Sequence, residues 1–301
     1  MESLNGLFSA LLTPVRPDGE IDFEQLSRLI DFVLSSGVDG ICIGGATSEY
    51  PHFDIAQRRE LVSFAAEQLR GRGRLIVAIG SSSYFQSLKL GRQAADVGSD
   101  ALMLPMPHFF HYDQADLMWF CRRIARELAF PVLIYHLPQF TQQLSLEAII
   151  ELINSEEFIV GIKDSSGDPV CQRLLSSTRS KTSFRLFVGN DSLVVDGLRA
   201  GWDGVISGIS SCCPELLVSL YASIRRGDLE AAEAYHRSLQ ELIQRVSQLP
   251  FPWGLKSILE ARGIQAGSRS LPQSEQRRRQ DRDLKEWFST WLARQNFNIL
   301  S

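Results

Sequence analysis

Eight short apolar runs, at residues 6–12, 40–43, 75–79, 101–104, 132–135, 159–163, 184–188 and 204–207, alternate with amphipathic helical patterns along the chain. Runs of this length, bounded by polar turns, read as buried strands, and strict alternation with helices points to repeated βα units. Helix starts are legible as well. Asp22 precedes Gln25 and a face of Leu26, Leu29, Ile30 and Val33, with Gly37 placed to stop it; Asp54 and Gln57 repeat that signature. Asp113 and Ser145 are placed to cap two later helices. Eight such units predict a (β/α)8 TIM barrel with a C-terminal helical extension. A doubly wound open sheet is the competing architecture, but no G-x-G-x-x-G follows the first strand. Beyond Arg226 the strand signal vanishes and helical patterns follow at 229–249, 253–262 and 281–295. The expected organisation is therefore a barrel over 1–225 that carries the active site and a helical extension over 226–301.

The 31 basic and 35 acidic side chains leave a formal charge of −4, which gives no bulk attraction for nucleic acid or anionic membrane. The one basic cluster, Arg277-Arg278-Arg279, is flanked by Gln and Asp and reads as a solvated linker or helix face. No apolar stretch approaches the roughly 20 residues needed to span a bilayer, and the start of the chain lacks a signal-peptide pattern, so a cytoplasmic location is expected. Cys42, Cys121, Cys171, Cys212 and Cys213 form no C-x-x-C pair. They are expected as buried small hydrophobes rather than disulfides or zinc ligands.

In a barrel of this kind the functional groups stand at the carboxyl ends of the strands. Lys163 ends the run Phe158-Ile159-Val160-Gly161-Ile162, where its amine would sit at the mouth of a core, placed to form a Schiff base with a carbonyl substrate. The alternative is a lysine that snorkels to water from a strand end. Tyr135 ends the preceding run. Strands ~5 Å apart would bring amine and phenol into one pocket, which suits imine formation with a 2-oxo group and proton shuttling by the tyrosine. His108 and His111 bracket two phenylalanines after the fourth strand, and His136 follows Tyr135. These histidines read either as loop residues that stack or hydrogen-bond near a pocket, His108 and His111 then contributing to substrate recognition, or as a metal site. Asp191 reads either as a helix N-cap or as a substrate contact.

Four motifs in order, Gly45-Ala46-Thr47-Ser48-Glu49, Tyr135-His136-Leu137-Pro138, Gly161-Ile162-Lys163-Asp164 and Gly204-Val205-Ile206-Ser207, resemble those of the pyruvate-dependent class I aldolase superfamily. That superfamily is typified by dihydrodipicolinate synthase and N-acetylneuraminate lyase, and the resemblance runs from about Leu4 to Gly263. It implies Lys163 as the Schiff-base lysine and Tyr135 as the proton-transfer tyrosine. It also implies a substrate-binding glycine motif, with the backbone amides of Ala46 and Thr47 as carboxylate anchors beside Ser48, and the Ile206 carbonyl facing the pyruvate unit. A homotetramer assembled from dimers is a further implication.

Several positions depart from the pattern. Ala46 replaces a Thr or Ser, and Phe109 replaces a tyrosine, so two hydroxyls of the proton relay are missing. Phe140 stands where lysine-pathway synthases carry an arginine that clamps the carboxylate of aspartate semialdehyde, and an aromatic ring is no substitute for a bidentate guanidinium. Of the glycerol-binding set of sialic-acid lyases only Asp191 survives. The expected activity is thus a carbon–carbon lyase or aldolase acting on a small-molecule 2-oxo acid with a pyruvate unit, such as a 2-keto-3-deoxy sugar acid or 4-hydroxy-2-oxoglutarate. No metal or organic cofactor is required, because the lysine imine is itself the electron sink. Rival readings are dihydrodipicolinate synthase, a pyruvate-binding regulatory protein with lapsed catalysis, and a metal-dependent aldolase using His108, His111 and His136.

Overall fold

A computed structural model describes residues 4–179, 184–295 and 297. Eight parallel strands close into one barrel in chain order: β1 (Gly6–Ala10), β2 (Gly40–Ile43), β3 (Arg74–Ala78), β4 (Ala101–Pro105), β5 (Val132–His136), β6 (Ile159–Asp164), β7 (Arg185–Val188) and β8 (Gly204–Ser207). One helix follows each strand: α1 (Phe23–Ser35), α2 (Ile55–Leu69), α3 (Tyr84–Asp96), α4 (Gln114–Leu128), α5 (Leu146–Ser155), α6 (Pro169–Arg179), α7 (Val194–Arg199) and α8 (Pro214–Arg226). Three more, α9 (Leu229–Val246), α10 (Trp253–Ala261) and α11 (Glu275–Leu292), form the C-terminal helical region of this (β/α)8 fold. Among the described residues no helix is long and apolar enough to cross a membrane.

The caps read from sequence are formed. Asp22 accepts from the Gln25 amide, Asp54 and Gln57 make a reciprocal capping box, Asp113 accepts from Asp116 N–H and Ser145 from Ala148 N–H. Boundaries differ where side chains intervene. β1 stops at Ala10 rather than 12, because the Leu12 N–H turns from the ladder to the Ser211 hydroxyl at 2.9 Å. Strands β5 and β6 each run one residue further than expected, through the pairing of His136 with Asp164. α11 begins at Glu275 instead of 281 because the Ser274 hydroxyl accepts from the Arg277 amide, which places the three arginines on the first turns of a helix.

Period-2 alternation divides the apolar side chains into two layers. Phe8, Cys42, Ile76, Met103, Leu133, Phe187 and Ile206 fill the barrel interior, with Phe8 and Phe187 meeting edge to face at 5.8 Å. A larger layer between strands and helices holds Leu26, Ile30, Val77, Ile124 and Ile162. That outer layer is continuous with Leu242, Trp253, Ile258, Leu284 and Phe288, so the C-terminal helices share the barrel's core. Closure between β8 and β1 needs glycine at 204, since a Cβ there would stand 2.0 Å from the Gly6 carbonyl oxygen.

Helix α10 carries Lys256 inside an otherwise apolar face, and its side chain is 1% exposed. The ammonium forms an ion pair with Glu49 of the loop after β2 and donates to the Ser268 carbonyl at 3.1 Å. Burial pushes the Lys256 pKa below its ordinary value while Glu49 opposes that shift. Glu49 itself has φ 56°, a left-handed conformation costly for a residue with a side chain, and the buried pair helps to hold it there. Lys256→Met, which strands a buried carboxylate, is expected to lower the unfolding free energy by about 3–5 kcal/mol. The double variant Lys256→Met/Glu49→Gln should recover most of that loss. Denaturant titration measures both, and a single variant as stable as the parent removes the anchoring role.

Candidate active site

The register pairs Tyr135 of β5 directly with Lys163 of β6. Both side chains point into the barrel mouth, and the Lys163 ammonium lies 4.3 Å from the centroid of the Tyr135 ring. Lys163 is 3% exposed, and among the described residues no carboxylate lies within ion-pair distance of it. Its stem packs against Gly189, where an added Cβ would stand 2.7 Å from Lys163 Cε. These residues floor a cavity of about 420 Å³ together with Ala46, Thr47, Ser165, Asn190 and Asp191.

The loop after β2 is shaped by its own hydrogen bonds. Glu49 N–H donates to the Ala46 carbonyl at 2.9 Å, whereas the N–H groups of Ala46 and Thr47 find no acceptor among the described residues. Ser48 differs from its neighbours. Its hydroxyl donates to the Leu11 carbonyl at 2.7 Å and accepts from Gly44 N–H at 3.0 Å, so it holds the loop against β1 from beneath. Ile206 is buried in the barrel interior, one position before Ser207.

Asp191 lies on the cavity wall, and the cap of the short turn 191–193 is Asn190, whose side chain accepts from Ser192 N–H. The N-cap reading of Asp191 is thereby corrected. One Asp191 oxygen accepts from Ile209 N–H at 3.3 Å, and the other is shielded from water with no hydrogen-bond partner among the described residues. Burial raises the Asp191 pKa, with Ser207, Ile209 and the Lys163 charge opposing. The Ser165 hydroxyl is likewise buried and unpartnered.

The remaining candidates lie apart from this cavity. His108, Phe109 and His111 line an outer groove with residues 138–143, and Phe109 is 84% exposed on a backbone turned outward by its φ of 83°. His108 Nδ1 is 3.2 Å from the hydroxyl of Tyr50, and the Arg58 guanidinium lies over the Tyr50 ring 4.9 Å from its centroid. Burial and the Arg58 charge both push His108 below its usual pKa.

His136 does not join His108 and His111. It faces away from the cavity, as alternation along β5 requires, and comes within 4.8 Å of both Asp164 and Cys171. Cys171 is half-buried, packed against the edge of the apolar core beside these polar groups, whereas the other four cysteines are fully buried. Burial raises the Asp164 pKa, with the Ser166 hydrogen bonds and His136 opposing, and lifts the Cys171 thiol to about 12.

The outer wall was not legible in the strand ends. Ile243, Val246, Ser247, Leu249, Phe251 and Leu255 of α9, α10 and their connection close one side of the cavity. Phe140, 56% exposed at the mouth, stacks on Phe251 with centroids 5.8 Å apart and an interplanar angle of 29°. Lys256 in the run Trp253-Gly254-Leu255-Lys256-Ser257-Ile258-Leu259 was the available signal, since a lysine amid apolar residues asks for a buried partner.

The family model of the dihydrodipicolinate synthetase family matches residues 3–288. A 4-hydroxy-tetrahydrodipicolinate synthase of Kosmotoga olearia is 30% identical over 277 residues, covering 91% of this chain and 94% of that protein. A probable 2-dehydro-3-deoxy-D-pentonate aldolase of Escherichia coli is 28% identical over 277 residues, covering 90% of this chain and 92% of its own. Among solved structures, a prophage protein of the dihydrodipicolinic acid synthase family from Escherichia coli K12, in complex with pyruvate, superposes with a TM-score of 0.90. At 24% identity, covering 96% of this chain and 99% of that one, it is a likeness of fold. With the barrel, the four motifs in order and a family match across nearly its whole length, this chain belongs to the dihydrodipicolinate synthetase family of lyases and aldolases.

Proposed function

We propose that the protein is a class I lyase that cleaves, or in reverse forms, the carbon–carbon bond of a 4-hydroxy-2-oxo acid next to its pyruvate unit. The observation that carries this reading is the buried Lys163 amine against the Tyr135 ring at the floor of the cavity. The Lys163 amine attacks C2 of the substrate, and the carbinolamine loses water to give an iminium. Removal of the 4-hydroxyl proton breaks the C3–C4 bond, and the electron pair passes into the iminium. An aldehyde departs and an enamine remains. Protonation at C3 and hydrolysis then return pyruvate and the free amine. Tyr135 is the group placed to carry protons to and from the adduct. The Ala46 and Thr47 amides are proposed to hold the carboxylate, and the unpartnered Asp191 oxygen to accept from the 4-hydroxyl.

The cavity lining supports substrates with a single carboxylate. Its only cation among the described residues is Lys163, so a second carboxylate, as in aspartate semialdehyde or 4-hydroxy-2-oxoglutarate, would meet no charged partner. Similarity to enzymes named 4-hydroxy-tetrahydrodipicolinate synthase keeps that activity as the second reading. A coupled assay of pyruvate with aspartate semialdehyde separates the two, and robust turnover there favours the second.

Borohydride added with pyruvate is expected to attach the ligand covalently to Lys163, as read by mass spectrometry, and Lys163→Ala should show neither adduct nor turnover. An unmodified Lys163 at saturating pyruvate in folded protein excludes the imine mechanism. An adduct without turnover of any 2-oxo acid would point to a binding protein with lapsed catalysis.

Tyr135→Phe should lower kcat by about 10²-fold, the scale of a positioned acid–base group, with a smaller change in KM. Near-normal kcat would make the phenol a packing residue.

Asp191→Asn should raise the melting temperature at neutral pH. The folded state raises this carboxyl's pKa, so the ionised form is a cost that is present above the folded-state pKa and absent below the ordinary value of 3.8. The gain should shrink as the pH is lowered towards that value. A gain independent of pH, or a loss at pH 7, contradicts the assignment.

A further inference from the structure

Resting on the lyase reading above, we infer that the group carried by the aldehyde half of the substrate is an aromatic ring, which lodges against the Phe140–Phe251 pair at the mouth of the cavity. The floor and the rim differ in chemistry. Unsatisfied hydrogen-bonding groups gather at the floor, where the Ser165 hydroxyl and one Asp191 oxygen are buried without partners. They suit the carboxylate, the C2 centre and a single hydroxyl. Moving outward, the polar side chains are partly engaged with the protein itself. The Gln139 amide donates to the Ser165 and Ser166 carbonyls at 2.9 and 2.8 Å, the Ser247 hydroxyl donates to the Ile243 carbonyl at 2.7 Å, and the Asn190 oxygen accepts twice from Ser192. The Asn190 amide NH2 and Gln139 Oε1 make no hydrogen bond among the described residues, but two such groups are too few to replace the water that a polyhydroxylated chain extending through this rim would give up.

What the rim offers instead is apolar surface. Leu137, Ile243, Val246, Leu249 and Leu255 line it, and no cation other than Lys163 reaches it among the described residues. Phe140 and Phe251 come from different segments, the loop after β5 and the connection between α9 and α10, yet stack on one another at 5.8 Å while remaining 56% and 51% exposed. Large apolar groups left in water at the mouth of a cavity mark a place where a ligand gains by covering them. An offset-stacked aromatic pair extends naturally to a third ring, whose attraction exceeds the burial of an alkyl group of equal area.

The test is pyruvate release, coupled to lactate dehydrogenase, from 4-hydroxy-2-oxo-4-phenylbutanoate and from 2-keto-3-deoxygluconate, alongside borohydride trapping of pyruvate on the same preparation. The phenyl substrate should show a kcat/KM at least about 10-fold higher, the scale set by burial of one ring. Phe140→Ala and Phe251→Ala should each raise KM for the phenyl substrate by about 5-fold or more with a smaller effect on kcat, and Phe140→Tyr and Phe251→Tyr should restore it. Trapping of pyruvate at Lys163 together with equal or better cleavage of the sugar acid overturns the aromatic assignment and leaves the lyase reading standing. Unchanged KM for the phenyl substrate in both alanine variants overturns it as well. Absence of any trapping removes both the lyase reading and this inference.

Discussion

Parallel pairing around a closed ring is the constraint from which the rest of this molecule follows. Because every strand runs the same way, all carboxyl ends meet at one rim, and because eight strands enclose just enough space for side chains, the interior is packed by residues such as Phe8, Phe187 and Ile206. Space for a ligand exists only above that packing. Register then decides which side chains share the space. Pairing of Tyr135 with Lys163 sends both inward, and the next pair, His136 with Asp164, must face outward into the helical layer. A one-residue slip of β5 and β6 together against the rest of the barrel would invert the two pairs, placing an imidazole and a carboxyl over the cavity and the amine behind it.

Two lysines among the described residues are buried, by different means. Lys256 meets Glu49 and the Ser268 carbonyl, an arrangement that compensates an ammonium removed from water and ties α10 to the loop after β2. Lys163 has the face of an aromatic ring and no carboxylate at ion-pair distance among the described residues. The first is a strut between two segments distant in the chain. The second is left with its nitrogen facing open space, the condition a nucleophile requires.

Much of this architecture was legible in the sequence because local rules and the global fold agree. Strand runs, the caps at Asp22, Asp54, Asp113 and Ser145, and the placement of Tyr135 and Lys163 at the carboxyl end of their strands, one residue short of the observed ends, follow from periodicity and capping chemistry. What sequence did not disclose depends on contacts between distant segments. The division of Ala46, Thr47 and Asp191 into the cavity from Ser48, His108, Phe109 and His111 outside it turns on loop geometry, including the left-handed backbone of Phe109. The meeting of Phe140 with Phe251, and of Glu49 with Lys256, joins residues more than a hundred positions apart, where neither periodicity nor spacing gives a signal.

The floor of the cavity is written in the strands and their adjoining loops, and its outer wall largely in the stretch from Ile243 to Leu255. Apart from Phe140, the two parts of the cavity therefore come from separate tracts of the chain. Substitution in the later tract can reshape the wall without touching the floor, subject to one condition: any exchanged segment must still present a cation where Lys256 meets Glu49. That single contact acts as a docking key for the outer wall, since a replacement segment without it leaves the Glu49 carboxylate buried and unanswered.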